Sequence, residues 1–136
     1  MVRMAVVALV IVGIAGCGGG GEGESTSSPS PFAGHWTAAW TNAINAETGT
    51  VDMVIATNGA ITGTLHYSTV EMPIAGTISN AGMVDMGYSA GVSPNVYVYR
   101  ATGTLTIQSS GHLTGVLQIA CGGVAVGSAP LDLAKQ

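Results

Sequence analysis

The chain of 136 residues predicts an all-β domain: an eight-stranded antiparallel up-and-down meander that closes into a β-barrel, with a β-sandwich as the alternative. Three observations predict it. From Phe32 onward, segments of about eight to ten residues alternate apolar and polar positions, with no 3.6-residue period. Turn chemistry separates them at short intervals, as at Asn58-Gly59, Asn80-Ala81-Gly82, Ser109-Ser110-Gly111 and Gly122-Gly123, which makes consecutive strands antiparallel neighbours. Glycines recur inside the strands, mostly among the apolar positions.

Residues 1–16 stand apart from this pattern. They carry Arg3 and then an apolar run from Met4 to Ala15. About a dozen residues is short of the ~20 needed to cross the hydrocarbon core. A charged start before such a run is the pattern of a secretory signal peptide. The segment ends in Ile14-Ala15-Gly16-Cys17, an aliphatic residue, two small ones and a cysteine, which resembles the lipobox of bacterial lipoproteins. The resemblance implies cleavage before Cys17, a lipid on its sulfur and acylation of the new amino group, as with palmitate. Two or more acyl chains anchor a protein stably to a membrane. Gly18 rather than an aspartate after the cysteine implies, within that family, an outer-membrane destination in the bacterial cell envelope. Residues 17–31 continue as lipidated Cys17 and a Gly/Ser-rich stretch with no apolar side chain for a core. Such chain is a flexible tether, with an r.m.s. span on the order of 20 Å. A phosphate-cradling glycine loop would need a strand before it and a helix after it.

Within the domain, residues 32–136, strands are expected over His35–Thr41, Thr50–Thr57, Ala60–Ser68, Pro73–Ser79, Met83–Tyr88, Val96–Gln108, His112–Ala120 and Val124–Leu133, with long loops at Asn42–Thr48 and Ser89–Asn95. Gly63 shares its face with Ile61 and Leu65, Gly76 with Ile74 and Ile78, Gly103 with Leu105 and Ile107, and Gly115 with Leu113 and Leu117. Gly49, Gly87 and Gly127 extend the series. A mid-strand glycine costs stability, so an inward set points to a geometric need, the bending of strands into a closed barrel. The hairpins "TGTVDMVIATNGAITGTL" (Thr48–Leu65) and "TGTLTIQSSGHLTGVL" (Thr102–Leu117) read as an internal repeat. Their lengths differ by an even number, so faces are kept. Pro130 removes a ladder donor from the last strand and predicts an imperfect seam.

Gly34-His35-Trp36 followed by Asn58–Leu65, "NGAITGTL", resembles the opening of the avidin and streptavidin family. The resemblance covers the first third of the domain and implies an eight-stranded barrel with a ligand place at its mouth. Where that family sets a biotin-contacting asparagine this chain has Ala38, and its only tryptophans are Trp36 and Trp40. The architecture is therefore carried over and biotin binding is not.

The composition excludes one class. Net charge is −4, and the only cationic residues are Arg3, Arg100 and Lys135, which leaves no patch to neutralise nucleic-acid phosphates. His35, His66 and His112 have no metal-ligand spacing, and Glu47, Asp52, Glu71, Asp85 and Asp132 form no acid–base pair motif. They read as surface groups, and Arg100 as exterior. No metal, cofactor or catalytic residue is expected, so the chain is not expected to be an enzyme. Cys121 lacks a partner once Cys17 is lipidated, and reads as a small rim residue. Core filling is the first role for the aromatic residues; Trp36, Trp40, Tyr88, Tyr97 and Tyr99 are the candidates for a ligand pocket at one mouth. The expected function is a lipid-anchored envelope lipoprotein whose non-catalytic barrel binds a small apolar ligand or a partner protein. Inhibition of an envelope protease, or a purely structural envelope role, is the alternative.

Overall fold

The computed structural model of the protein describes residues 28–41, 46–92 and 94–136. The expected signal peptide, Cys17, most of the tether and part of the loop after the first strand lie outside the described residues. The strands are β1 (Gly34–Thr41), β2 (Thr48–Ile55), β3 (Ala60–Tyr67), β4 (Val70–Ile78), β5 (Met83–Val92), β6 (Asn95–Ile107), β7 (Leu113–Cys121) and β8 (Val124–Lys135). Each pairs antiparallel with the next, and β8 returns to β1, so the sheet is a closed barrel in simple meander order. The sandwich alternative is thereby excluded.

Alternation builds each wall. In β4, Met72, Ile74 and Ile78 are buried while Glu71, Pro73, Ala75 and Thr77 are exposed, as a strand with one wet face requires. The inward positions of all eight strands form one core, from Phe32 and Trp36 at one end to Trp40 and Tyr88 at the other. An eight-stranded barrel is narrow enough for side chains to fill, and this one is filled through its middle.

Gly63, Gly76, Gly103 and Gly115 all lie on the inward rows, and of their expected neighbours Ile107 alone, at the end of β6, is exposed instead. Gly63 faces Met53 across β2–β3, and a Cβ there would sit 2.1 Å from the Asp52 carbonyl oxygen and 2.8 Å from Met53 Cα. At Gly76 the corresponding distances are 2.2 Å to the Asp85 carbonyl oxygen and 2.4 Å to Met86 Cα. A side chain would strike the adjacent strand's backbone, so the missing Cβ is what lets neighbouring strands fold over one another. Gly87 departs from the series. Its neighbour Tyr88 is buried, so Gly87 faces outward, and a Cβ on it would meet nothing nearer than the Tyr99 carbonyl oxygen at 3.4 Å.

The end of the barrel that holds the β2–β3, β4–β5 and β6–β7 turns is closed. All three turns share one geometry. Gly59, Gly82 and Gly111 donate their N–H to the carbonyls of Ala56, Ser79 and Gln108, and those residues donate in turn to the carbonyls of Ala60, Met83 and His112. The three glycines have φ of 85°, 89° and 89°. These are three-residue loops ending in a left-handed glycine bulge, so Asn58-Gly59 is not the two-residue turn that the dipeptide suggests. Two of the turns are also docked: Ile78 N–H donates to Gly59 O at 2.8 Å, and Leu105 N–H to Gly82 O at 2.9 Å. The incoming chain covers this end. Ser30 is buried and its N–H donates to Thr57 O at 2.7 Å; Trp36 Nε1 donates to Phe32 O at 2.8 Å. The folded domain thus takes in Ser30 and Pro31 ahead of Phe32.

The opposite end is looser, and prolines mark where. The β4–β5 ladder runs only from Ile78↔Val84 to Ile74↔Tyr88, and it stops at Pro73, which has no N–H to give. Beyond that point β5 continues to Val92 and pairs only with β6, through Ala90↔Tyr97 to Val92↔Asn95. The expected long loop at Ser89–Asn95 is therefore an extended hairpin. Its Val, Tyr and Ala content suits a strand better than a loop, and Gly91, at φ 111°, accommodates its close approach to Asn95. At the seam, β8 pairs with β1 through Trp36↔Lys135 and Thr37↔Ala134, and Gln136 N–H donates to His35 O. That ladder ends well before Pro130 would have to join it.

Candidate functional site

The loose end carries a recess. It has a volume of about 140 Å³ and opens where β4 and β5 part, between Val70 and Met72 on one side and Ala90 and Gly91 on the other. Four rings wall it: Trp40, Tyr67, Tyr88 and Tyr99.

Strand register explains why these four rings meet. Tyr88 and Tyr99 are direct cross-strand partners on the inner face of β5–β6, and their rings stack at 5.1 Å and 12°. Trp40 and Tyr67 are two strands apart, and the residue between them is Gly49, the partner of both. With no side chain at Gly49, the two rings close over it into an edge-to-face contact, 6.0 Å apart at 82°. A Cβ on Gly49 would lie 2.0 Å from the His66 carbonyl oxygen. Trp40 also meets Tyr88 edge to face, at 6.5 Å and 84°. Trp40 and Tyr88 form the floor. Beneath them lies only a void of about 10 Å³ among Val51, Leu65, Met86, Leu117 and Leu131, room for about one water.

The structure brings Trp40, Tyr88 and Tyr99 together in this recess. Trp36 lies at the other, closed end, 1% exposed, with Lys135 Nζ 5.4 Å from its ring centroid. Tyr97 is 55% exposed on the projecting β5–β6 hairpin. Tyr67 joins the wall although sequence reasoning did not single it out. Its parity with Gly63 and Leu65 carried the signal. Glycine at position 49, read as a bending residue, has the further effect of admitting two large rings side by side.

Burial pushes the Tyr88 phenol up to about 12, with the neighbouring Tyr99 and Cys121 adding to the shift. Tyr99 is raised by the same causes, burial first, then Cys121 and Tyr97. Cys121 is a half-buried free thiol in register with Tyr99. Because the unfolded phenol ionises near its ordinary 10.0, the unfolded chain loses this proton first as pH rises. Stability from Tyr88 is therefore complete below pH 10 and falls between pH 10 and about 12. Absorbance titration of the phenols should show a step at about pH 12, and Tyr88→Phe should diminish that late step. A titration with no step above pH 11 would contradict the packing of the floor.

The outer wall is chemically quiet. Each histidine pairs with a carboxylate from the neighbouring strand: His35 Nε2 with Asp52 at 2.8 Å, His66 Nδ1 with Glu71 at 3.2 Å and His112 Nδ1 with Asp132 at 2.5 Å. Arg100 grips Asp85 with both a 2.7 Å bond from Nε and a second from Nη2. That contact holds the Asp85 carboxyl below the usual range. All these groups are well exposed, where solvent screening leaves such pairs little weight in stability. Among the described residues no three His, Cys, Asp or Glu side chains form a metal-ligand cluster. The pairings were invisible in the linear sequence because partners such as His112 and Asp132 meet only through register.

No protein-family model matches the chain, and neither does any curated protein or solved structure.

Proposed function

We propose that the protein is a non-catalytic binding module, tethered by a lipidated Cys17 to a membrane of the bacterial cell envelope, that holds a small apolar group in the aromatic recess at its mouth. The observation that carries this reading is the placement of the recess. The chain from the N-terminus enters at the closed end, strapped by Ser30, Phe32 and Trp36. The rings of Trp40, Tyr67, Tyr88 and Tyr99 lie at the far end. A tether attached at the base leaves the mouth free. The recess is smaller than the ~300–1,000 Å³ of drug-sized sites. It is close to the ~150 Å³ that accommodates benzene, so it takes a compact group, while the filled interior below it excludes a long chain.

The two tryptophans supply the test, since one lies at each end. Titrating the full chain, in nonionic detergent, with toluene should move the Trp40 indole N–H resonance and leave that of Trp36 in place. A Trp40 resonance unmoved up to the solubility of toluene would overturn the reading of the recess. The anchor is tested separately: labelled palmitate should enter the wild-type chain in a bacterial host, and Cys17→Ser should carry none.

A second reading, docking of a partner protein at the same end, has its own support. Val96, Tyr97, Val98 and Val124 on the projecting hairpins around the mouth are all about half or more exposed, an apolar rim of the kind that marks contact surfaces.

A further inference from the structure

Resting on the binding role proposed for the recess, we propose that the mouth is an aromatic cage for a compact quaternary ammonium group, such as the trimethylammonium head of choline or a betaine. A purely apolar pocket needs only size and hydrophobic walls. This one is walled on several sides by ring systems, with Tyr67 and Tyr88 set at 82° and 84° to Trp40 and Tyr99 stacked behind Tyr88. Rings crossing near right angles around one open recess bring faces as well as edges to it. A fully methylated cation gains from such faces because the ring quadrupole is negative there, and it carries no N–H that would be left without an acceptor.

The charge distribution agrees. Among the described residues no Lys, Arg or His lines the recess. Of the chain's three Lys and Arg residues, Arg100 lies exposed on the outer wall and is held by Asp85, and Lys135 is at the closed end over Trp36. Trp36 thus already has a cation against its ring and Trp40 has none among the lining residues. Two carboxylates, Glu47 and Glu71, lie at the mouth end, just before β2 and just inside β4, Glu71 paired with His66 on the outer wall. The chain's net charge of −4 favours a cation over an anion as its ligand. The phenols of Tyr88 and Tyr99 stay protonated across the physiological range, so their rings act as neutral walls. The volume of about 140 Å³ fits one such head.

The test compares a cation with its neutral isostere. Choline chloride and 3,3-dimethylbutan-1-ol have the same shape and differ by the charge on the central atom. With the full chain in an amine-free nonionic detergent, both are titrated against the Trp40 indole N–H resonance, with Trp36 as internal reference. The cage predicts that choline binds at least about 5-fold more tightly than the alcohol, and that Tyr99→Leu, at a half-exposed wall position, erases the difference. Phosphatidylcholine vesicles form a separate arm: a response to them but not to free choline still supports the cage and assigns the head to a lipid. Equal binding of choline and the alcohol overturns the cage. So does a Trp40 response to toluene without one to choline or to the vesicles, and either result leaves the apolar recess standing. Silence to all probes overturns both. Tyr88→Phe, which keeps the ring, should retain the preference.

Discussion

Gly76→Ala should unfold the domain or leave it severely destabilised, while Gly87→Ala, in the adjacent strand, should be harmless. The two substitutions add the same methyl group to mid-strand positions of one sheet. At Gly76 the new carbon lands 2.2 Å from the Asp85 carbonyl oxygen, 2.4 Å from Met86 Cα and 2.5 Å from Met86 Cβ. None of these belongs to the end of a flexible side chain, so relief requires β4 and β5 to separate. Overpacking of ordinary cores costs about 1–3 kcal/mol, and a collision with backbone belongs at or above the top of that range. For a domain of roughly 100 residues, ~3 kcal/mol lowers Tm by on the order of 15 °C. At Gly87 the nearest atom is an oxygen at 3.4 Å, an ordinary contact. Removing a mid-strand glycine there should be neutral or stabilise by about 0.5–1 kcal/mol. Thermal melts of the two variants side by side check this, and similar melting temperatures would contradict it.

Trp40→Ala has the second largest expected effect, and it acts on both stability and binding. Trp40 is 6% exposed, touches Tyr67 and Tyr88 edge to face, and with Tyr88 separates the recess from the core below. Truncating a buried tryptophan costs about 3–5 kcal/mol. Trp36→Ala, at the closed end, should cost a similar amount, because Trp36 is 1% exposed and also loses its bond to Phe32 O. The variants part on ligand response. Trp36→Ala leaves the recess walls untouched, so toluene should still shift the Val70 and Met72 methyl resonances. Trp40→Ala removes the floor and should lose that response. Retention of the response in Trp40→Ala, measured below its melting temperature, would show that the recess holds toluene without Trp40 as its floor.

The parts of the fold that depend on side-chain parity were legible in the sequence. Ile61, Gly63 and Leu65 had to share a face whatever the strand's exact ends, and so did Leu113, Gly115 and Leu117. Closure followed from where those glycines lay. Gly87 joined the series by recurrence alone; its parity with Asp85 and Ser89, opposite to Val84, Met86 and Tyr88, is what places it outward. The long β5–β6 hairpin was hidden because Gly91, Pro94 and Asn95 look like a loop, whereas the backbone pairs almost to the tip. Pro73 appeared to mark a strand's start, and instead marks where a continuing strand stops pairing on one side. The recess was half legible. Trp40, Tyr88 and Tyr99 stood out as bulky residues among small ones, but their meeting, and the inclusion of Tyr67, depends on which residues lie opposite each other across Gly49. Register is a property of pairs of strands and leaves little trace in either strand alone. The same holds for the histidine–carboxylate pairs along the outer wall.

The role proposed for the mouth, a recess at one end of a closed barrel, requires that a single sheet meets itself. The seam between β1 and β8 is where that claim is most exposed, since its ladder is the shortest in the barrel. Backbone NOEs across Trp36/Lys135 and Thr37/Ala134, with slow exchange of the Gln136 amide bonded to His35 O, are the direct measurement. The account predicts all three contacts, together with protected amides on both sides of β1. Strong NOEs from β1 to β2 alone, with the Gln136 amide exchanging as fast as a free terminus, would mean an open sheet and would contradict it.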